Sequence, residues 1–257
     1  MRRAYIRVRT EEQARALAEI LKSEWNGSPE VCAMCPVGSD AGIPGRLKEA
    51  GACVFADLPF IARENISEDL IRDMNAAVWA EGFVIKNMDE MGILKSRAFK
   101  GPVIGDSFLY AYNSRAAGFY REHFPDIRFM APDELTDDEL EALPGSRDMI
   151  YKAYGRARVM LTAQSLSANY GSPESPVDLR SVKNDRFISL DEDYGYTSVY
   201  TEKPVSIPDA LTDGRWENVM ADFTCEDRAE SAAVIRAMLG KGELPAGTRG
   251  HHYKGID

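Results

Sequence analysis

Residues 4–25 read AYIRVRTEEQARALAEILKSEW. The first six, AYIRVR, are a β-prone run. The chain then passes straight into a helix: Thr10 and Gln13 form a capping box, and Ala14, Leu17 and Leu21 recur at helical spacing. What lies between them decides the fold. An open, doubly wound sheet would want a Gly-rich phosphate turn after its first strand, and RVRTEEQ has none.

The same strand–helix alternation continues along the chain. β-prone runs fall at 30–37 (EVCAMCPV), 52–59 (ACVFADLP), 82–87 (GFVIKN), 101–107 (GPVIGDS), 127–132 (IRFMAP) and 147–155 (RDMIYKAYG), with WENVMADFT at 216–224 as the last. Helical segments lie between them around 67–80, 114–123 and the acidic 133–143, and EDRAESAAVIRAMLG closes the series at Gly240. Alternation of this kind implies parallel pairing. About eight such units predict an α/β fold closed as a (β/α)8 TIM-barrel-like domain. Between 167 and 212 the pattern changes, and RFISLDEDYGYTSVYTEKPVSI reads as a β-meander with turns at Gly171, Gly195 and Pro204. The expectation is a single barrel-like domain over 1–257 with a β-rich insertion after strand seven.

Bulk composition excludes several functions. A hydrophobic content of 44% supports a packed core, while a net charge of −10 argues against a general nucleic-acid footprint. The tail TRGHHYKG is a local basic exception. No uncharged apolar run is long enough to span a bilayer, and the N-terminus lacks the apolar segment of a signal peptide, so a cytoplasmic protein with no membrane partner is expected. Four cysteines in such a chain imply reduced thiols or a metal. Cys32 and Cys35 have Cys-x-x-Cys spacing, but residues three apart in a strand point to opposite faces. Two ligands do not make a zinc site. Buried strand cysteines are the better reading, and Cys53 and Cys225 read as small core residues.

In a parallel barrel the functional groups gather where strands end at their C-terminal edge. Those ends hold Arg9, Asp57, Lys86 with Asn87, Asp106, Asp133, Tyr154 with Arg156, and Asp222 with Thr224. Arg156 stands out because its planar fork can bind a carboxylate or phosphate through two bonds. The alternative is a structural ion pair with Asp106 or Asp222. Ser165 has no Gly-x-Ser-x-Gly elbow around it. His251 and His252 read either as a mobile tail or as a lid on the site.

Six segments, GFVIKNMDEMGIL, GPVIGDSFLYAYNSRAAGFY, APDELTDDEL, YGRARVMLTAQSL, VMADFTCEDRAES and TRGHHYKGID, together resemble the C-terminal portion of long members of the collagenase-like peptidase family U-32. The resemblance implies a barrel and a peptidase (hydrolase) by family description. Some relatives instead assist hydroxylation of RNA bases or quinone precursors with an iron–sulfur cluster held by four cysteines. In that pattern Ser165 stands where relatives have the first cysteine. The later ones would fall around 167–180 and 190–200, where this chain has none. Serine is a poor ligand for such a cluster, so no cofactor is expected. Long members also carry a catalytic half and a middle domain ahead of this region. That implies a fragment of a longer protein or a separately encoded catalytic partner.

Two functions from different classes are therefore expected. One is an enzyme domain acting on a peptide or RNA-related substrate. The other is a non-catalytic binding or scaffold domain that has lost its cluster ligands. In either case the substrate-binding residues would be Asn87, Asp106, Asn113, Tyr154, Arg156, Asp222 and His251, with Arg156 taking the anionic group.

Overall fold

A computed structural model describes residues 2–61, 67–169, 171 and 176–250. The chain begins with β1 (Arg3–Arg7), α1 (Glu11–Glu24), β2 (Glu30–Pro36), α2 (Gly42–Glu49) and β3 (Cys53–Asp57). It continues with α3 (Ser67–Ala76), β4 (Gly82–Ile85), α4 (Met88–Ser96), β5 (Val103–Gly105), α5 (Ser114–His123) and β6 (Arg128–Phe129). Next come α6 (Asp137–Glu141), β7 (Ile150–Gly155), β8 (Arg158–Thr162), α7 (Leu166–Asn169) and β9 (Val177–Arg180). The last elements are β10 (Arg186–Glu192), β11 (Tyr196–Thr201), β12 (Val205–Ser206), α8 (Asp209–Thr212), β13 (Asn218–Asp222) and α9 (Arg228–Met238).

The elements make a mixed α/β fold with a nine-stranded, mostly parallel sheet in the order β12-β7-β13-β1-β2-β3-β4-β5-β6. Only β12 runs antiparallel, along the outer side of β7. The sheet curls back on itself. Just past β6, Met130 forms a parallel bridge with Ile150 of β7, and the Ala131 N–H donates to the Ile150 carbonyl at 2.9 Å.

Curling divides the apolar residues into two sets. Tyr5, Met34, Phe55, Val84, Ile104, Met130, Ile150 and Met220, each from a different strand or its end, form one buried cluster on the concave side. The neighbouring strand positions pack outward with Leu17, Leu21, Leu70, Leu94, Val234 and Ile235 of the helices. This is period-2 alternation with both faces covered. It also separates Cys32, in the inner cluster, from Cys35 in the outer one, as expected.

The helices start where their capping residues predict. Thr10 and Gln13 form the capping box of α1, and Thr136 with Glu139 and Asp227 with Glu230 do the same for α6 and α9. That cap explains why the acidic helix expected over 133–143 occupies only Asp137–Glu141. Likewise α3 stops at Ala76 rather than reaching residue 80.

A second sheet, antiparallel in the order β8-β11-β10-β9, lies in sequence between β7 and β13. The meander was expected from residue 167. The antiparallel pairing instead begins at Arg158, because β8 pairs with β11. Gly195, at φ 80°, makes the tight turn between β10 and β11. Among the described residues no helix is long and apolar enough to cross a membrane.

Candidate functional site: a charged mouth over the curled sheet

Two residues beyond each deep apolar residue, several strands place a charged one on the same face. Tyr5 is followed by Arg7, Phe55 by Asp57, Val84 by Lys86, Ile104 by Asp106, Ile150 by Lys152, and Met220 by Asp222. Because the strands are parallel, these charges collect at one end, where β-strand C-termini meet.

Arg7 is the hub. It is 4% exposed and ion-paired to Asp106 at 2.5 Å, Asp222 at 3.1 Å and Asp57 at 3.2 Å. Lys86 adds a pair to Asp57 at 2.7 Å. Burial alone would push the Asp106 carboxyl up, but the charges of Arg7 and Lys86 outweigh it and hold it down at about 2. Asp222 is lowered in the same way, against burial, by Arg7, Arg9 and Lys152. The opposite case is Glu90, 1% exposed on α4. Burial dominates there and raises it to about 8, although its Oε2 accepts the Lys86 N–H at 2.5 Å. Its Oε1 has no hydrogen-bond partner among the described residues.

Above this layer lies a cavity of about 300 Å³. The parallel sheet supplies its floor, including Arg7, Asp57, Lys86, Lys152 and Asp222, and the antiparallel sheet supplies its roof, including Leu190–Tyr194, Tyr196 and Tyr200. Named contacts hold the two together: Arg9 pairs with Glu192 at 3.0 Å, and the Phe60 N–H donates to the Tyr196 hydroxyl at 3.0 Å. Tyr194 donates to Asp73 at 2.7 Å. Lys152 is ion-paired with Asp133.

One lining cation differs from the others. Arg158, at the start of β8, lies with its guanidinium carbon 4.1 Å from the Phe60 ring centre and 3.8 Å from that of Phe108. Those two rings meet edge to face at 5.0 Å. Arg158 lines the cavity, and no carboxylate among the described residues pairs with it. Asp193, on the β10–β11 turn, is an exposed lining carboxylate without an ion-pair partner among those residues.

The expected site residues meet different fates. Asp106 and Asp222 belong to the Arg7 network, and Asp222 lines the cavity. Asn87 caps α4 by accepting the Glu90 N–H and donates to the Phe60 carbonyl at 3.1 Å, so it positions the rim. Asn113 caps α5 and is exposed away from the cavity lining. Tyr154 is turned away. Simple alternation would direct it inward, but the register shift between Met220 and Ala221 pairs it with outward-facing Ala221. There it packs against Phe223 in the outer core. His251 lies outside the described residues.

Arg156 lines the cavity, but its charge is already taken. It is ion-paired with Glu226, and it donates to the Thr224 hydroxyl at 2.9 Å and the Glu202 carbonyl at 3.1 Å. The alternative pairing with Asp106 or Asp222 is not formed either, because Arg7 holds both. Ser165 is exposed and donates to Asp191 at 2.7 Å. Cys53 and Cys225 are only partly buried; Cys53 packs against the inner cluster, beside Cys32 and Glu30 at the other end of the sheet.

Sequence reading missed Arg7 and the Arg158–Phe60–Phe108 stack. Arg7 had a signal: Tyr5, Arg7 and Arg9 alternate on one face, so two arginines, not one, stand at that strand end. The stack had none, since it joins three segments far apart in sequence.

No family model matches the chain, and no curated protein matches it. Among solved structures, it is similar to 2-keto-3-deoxy-6-phospho-gluconate aldolase from Zymomonas mobilis at 12% identity and a TM-score of 0.33, over 58% of this chain and 81% of that one. It is also similar to the spore cortex-lytic enzyme SleL from Bacillus cereus at 9% identity and a TM-score of 0.36, over 94% of this chain and 75% of that one. Neither likeness is close enough to carry a functional argument.

Proposed function

We propose that the chain is a (β/α)8 barrel of the U-32 kind, with the antiparallel sheet as an insertion after strand seven, and that it works as a binding domain. Its mouth takes a small ligand carrying a carboxylate or phosphate, with a peptide or amino acid as the favoured class. The carrying observation is Arg158, a cation set against both Phe60 and Phe108 that lines the cavity without a carboxylate partner among the described residues. Contact with the two rings holds the guanidinium at the mouth and leaves N–H groups for an anion. Asp193 on the roof would favour a ligand that also carries a positive charge.

The arrangement supports binding better than hydrolysis. The floor carboxylates are engaged by Arg7 and Lys86. Ser165 has Asp191 for a neighbour, and no histidine among the described residues lines the cavity. The six U-32-like segments support the family reading.

Titration calorimetry with aspartate, glutamate, short peptides and inorganic phosphate tests it. At least one of these should bind, and Arg158→Met should weaken that binding by roughly 10- to 100-fold, the worth of a charged hydrogen-bonded pair. Equal binding by the variant sinks the reading. Cleavage of the peptides by wild type, but not by Ser165→Ala, would favour the peptidase alternative.

A further inference from the structure

The sheet has a second polar cluster at the opposite end, where the strands begin. In the parallel register Cys32 of β2 lies directly across from Cys53 of β3. Glu30, two residues before Cys32, shares that face. One oxygen of Glu30 and the two sulfurs all lie within 4.8 Å of one another. The Glu30 Oε1 is 3.8 Å from the Cys53 sulfur, and its Oε2 is held by the Arg3 guanidinium at 2.7 Å. Cys32 is 3% exposed, whereas Cys53 and Glu30 are half-buried.

From this geometry we infer that Glu30, Cys32 and Cys53 form a site for a thiophilic divalent cation of the zinc class, entered from the N-terminal end of the sheet. The cross-strand pair supplies what the Cys-x-x-Cys spacing could not, since Cys35 faces the other way. Two soft sulfurs and one carboxylate are a zinc-type donor set with a fourth position left for water. As each metal–sulfur bond forms, the thiol releases its proton to solvent, so binding frees two protons. The resulting cluster, one dication with two thiolates and a carboxylate, carries one excess negative charge. Arg3, bound to Glu30, and Arg128, which donates to the Tyr5 hydroxyl at 2.5 Å beside Cys32, lie where they offset it. The Arg3–Glu30 pair also fixes the orientation of the carboxylate, the usual task of a group behind a ligand. Such a cation would fasten β2 to β3 and is independent of what the mouth binds.

The test is titration of the reduced, full-length protein with Co2+ alone, followed by competition with Zn2+. The expected result is about one Co2+ per chain with a near-ultraviolet thiolate-to-cobalt band that Zn2+ abolishes. Cys32→Ser and Cys53→Ser should each lose the band, Cys35→Ser and Cys225→Ser should keep it, and Glu30→Gln should weaken binding roughly 10-fold. Absence of the band in the reduced wild type overturns the site, and so does its persistence in Cys53→Ser. If Cys32→Ser fails to fold, the half-buried Cys53 variant decides. A Cys32–Cys53 disulfide that forms in the presence of Zn2+ also overturns it.

Discussion

Arg7 and Asp106 face each other at 2.5 Å inside the curled sheet, ninety-nine residues apart in sequence, and both are almost fully buried. Their pairing organises the mouth. Arg7 reaches three carboxylates, two in β3 and β13 and one just past β5, so one side chain reads the relative position of strands spread around the sheet. Burying four charges costs heavily in desolvation, and the mutual attraction offsets it only while every partner is present.

Removing the hub should therefore be severe. Arg7→Met roughly keeps volume but leaves Asp57, Asp106 and Asp222 together without their shared partner, with Lys86, Arg9 and Lys152 as the remaining nearby cations. Urea unfolding should show a loss of about 3–5 kcal/mol, the usual cost of breaking a buried pair. Asp106→Asn should cost less, because Arg7 keeps its other two carboxylates. Equal losses in the two variants would contradict a hub role for Arg7.

Glu90 sets a pH dependence of opposite sign to that of Asp106. Its burial-raised folded value of about 8 lies above an unfolded value of roughly 4.3. Its contribution is thus fully present below about pH 4 and is lost as pH rises through 8. Asp106, held at about 2, contributes above about pH 4 and loses that contribution as pH falls toward 2. Between about pH 5 and pH 8 only the Glu90 effect operates of the two, and stability should fall with rising pH. Urea midpoints at those two pH values should differ less in Glu90→Gln than in wild type. An unchanged difference would mean that Glu90 is ionised in the folded protein.

Much of this architecture was legible in the sequence for a physical reason. Strand–helix alternation, the capping box at Thr10 and the opposite faces of Cys32 and Cys35 all follow from local periodicity, which neighbours in the chain settle. The polar strand ends were legible as a class, and Asp57, Lys86 and Asp222 do line the mouth. Who pairs with whom was not legible. Whether Asp106 answers Arg7 or Arg156 depends on strand order and closure, and the β7 register shift that turns Tyr154 outward leaves no mark in the composition of IYKAYG. The Cys32–Cys53 neighbourhood likewise comes from the parallel register of β2 and β3, not from spacing along the chain.

Arg156 and Arg158 should separate cleanly. In the sequence Arg156 reads either as an anion-binding group or as one half of a structural ion pair. Its pair with Glu226, a carboxylate whose side chain is 1% exposed, gives it a structural task. Arg156→Met strands the buried Glu226 charge and should cost about 3 kcal/mol or more. Arg158→Met loses only its stacking on Phe60 and Phe108 and should cost about 1 kcal/mol. Guanidinium denaturation of both variants is the measurement, and an equally unstable Arg158→Met would make the stack structural instead.

Gly155 is where the fold and the mouth depend on the absence of a side chain. It pairs with Asp222 across the β7–β13 ladder at φ 149°, a conformation that residues with a Cβ rarely adopt. A Cβ there would lie 2.8 Å from the Asp222 carbonyl oxygen and 3.0 Å from the Asp222 Cβ. Gly155→Ala therefore combines backbone strain with overpacking against a backbone atom that cannot swing aside. The expected loss is on the order of 2–4 kcal/mol. Gly195→Ala is the control, since that glycine also has positive φ, at 80°, but a Cβ would meet nothing within 4 Å. It should cost only about 1–2 kcal/mol, the strain alone. Because the clash displaces Asp222, Gly155→Ala should also weaken ligand binding at the mouth, whereas Gly195→Ala should affect it less. Thermal unfolding and calorimetry on the two variants check both halves, and equal stability losses would remove the Asp222 contact from the account.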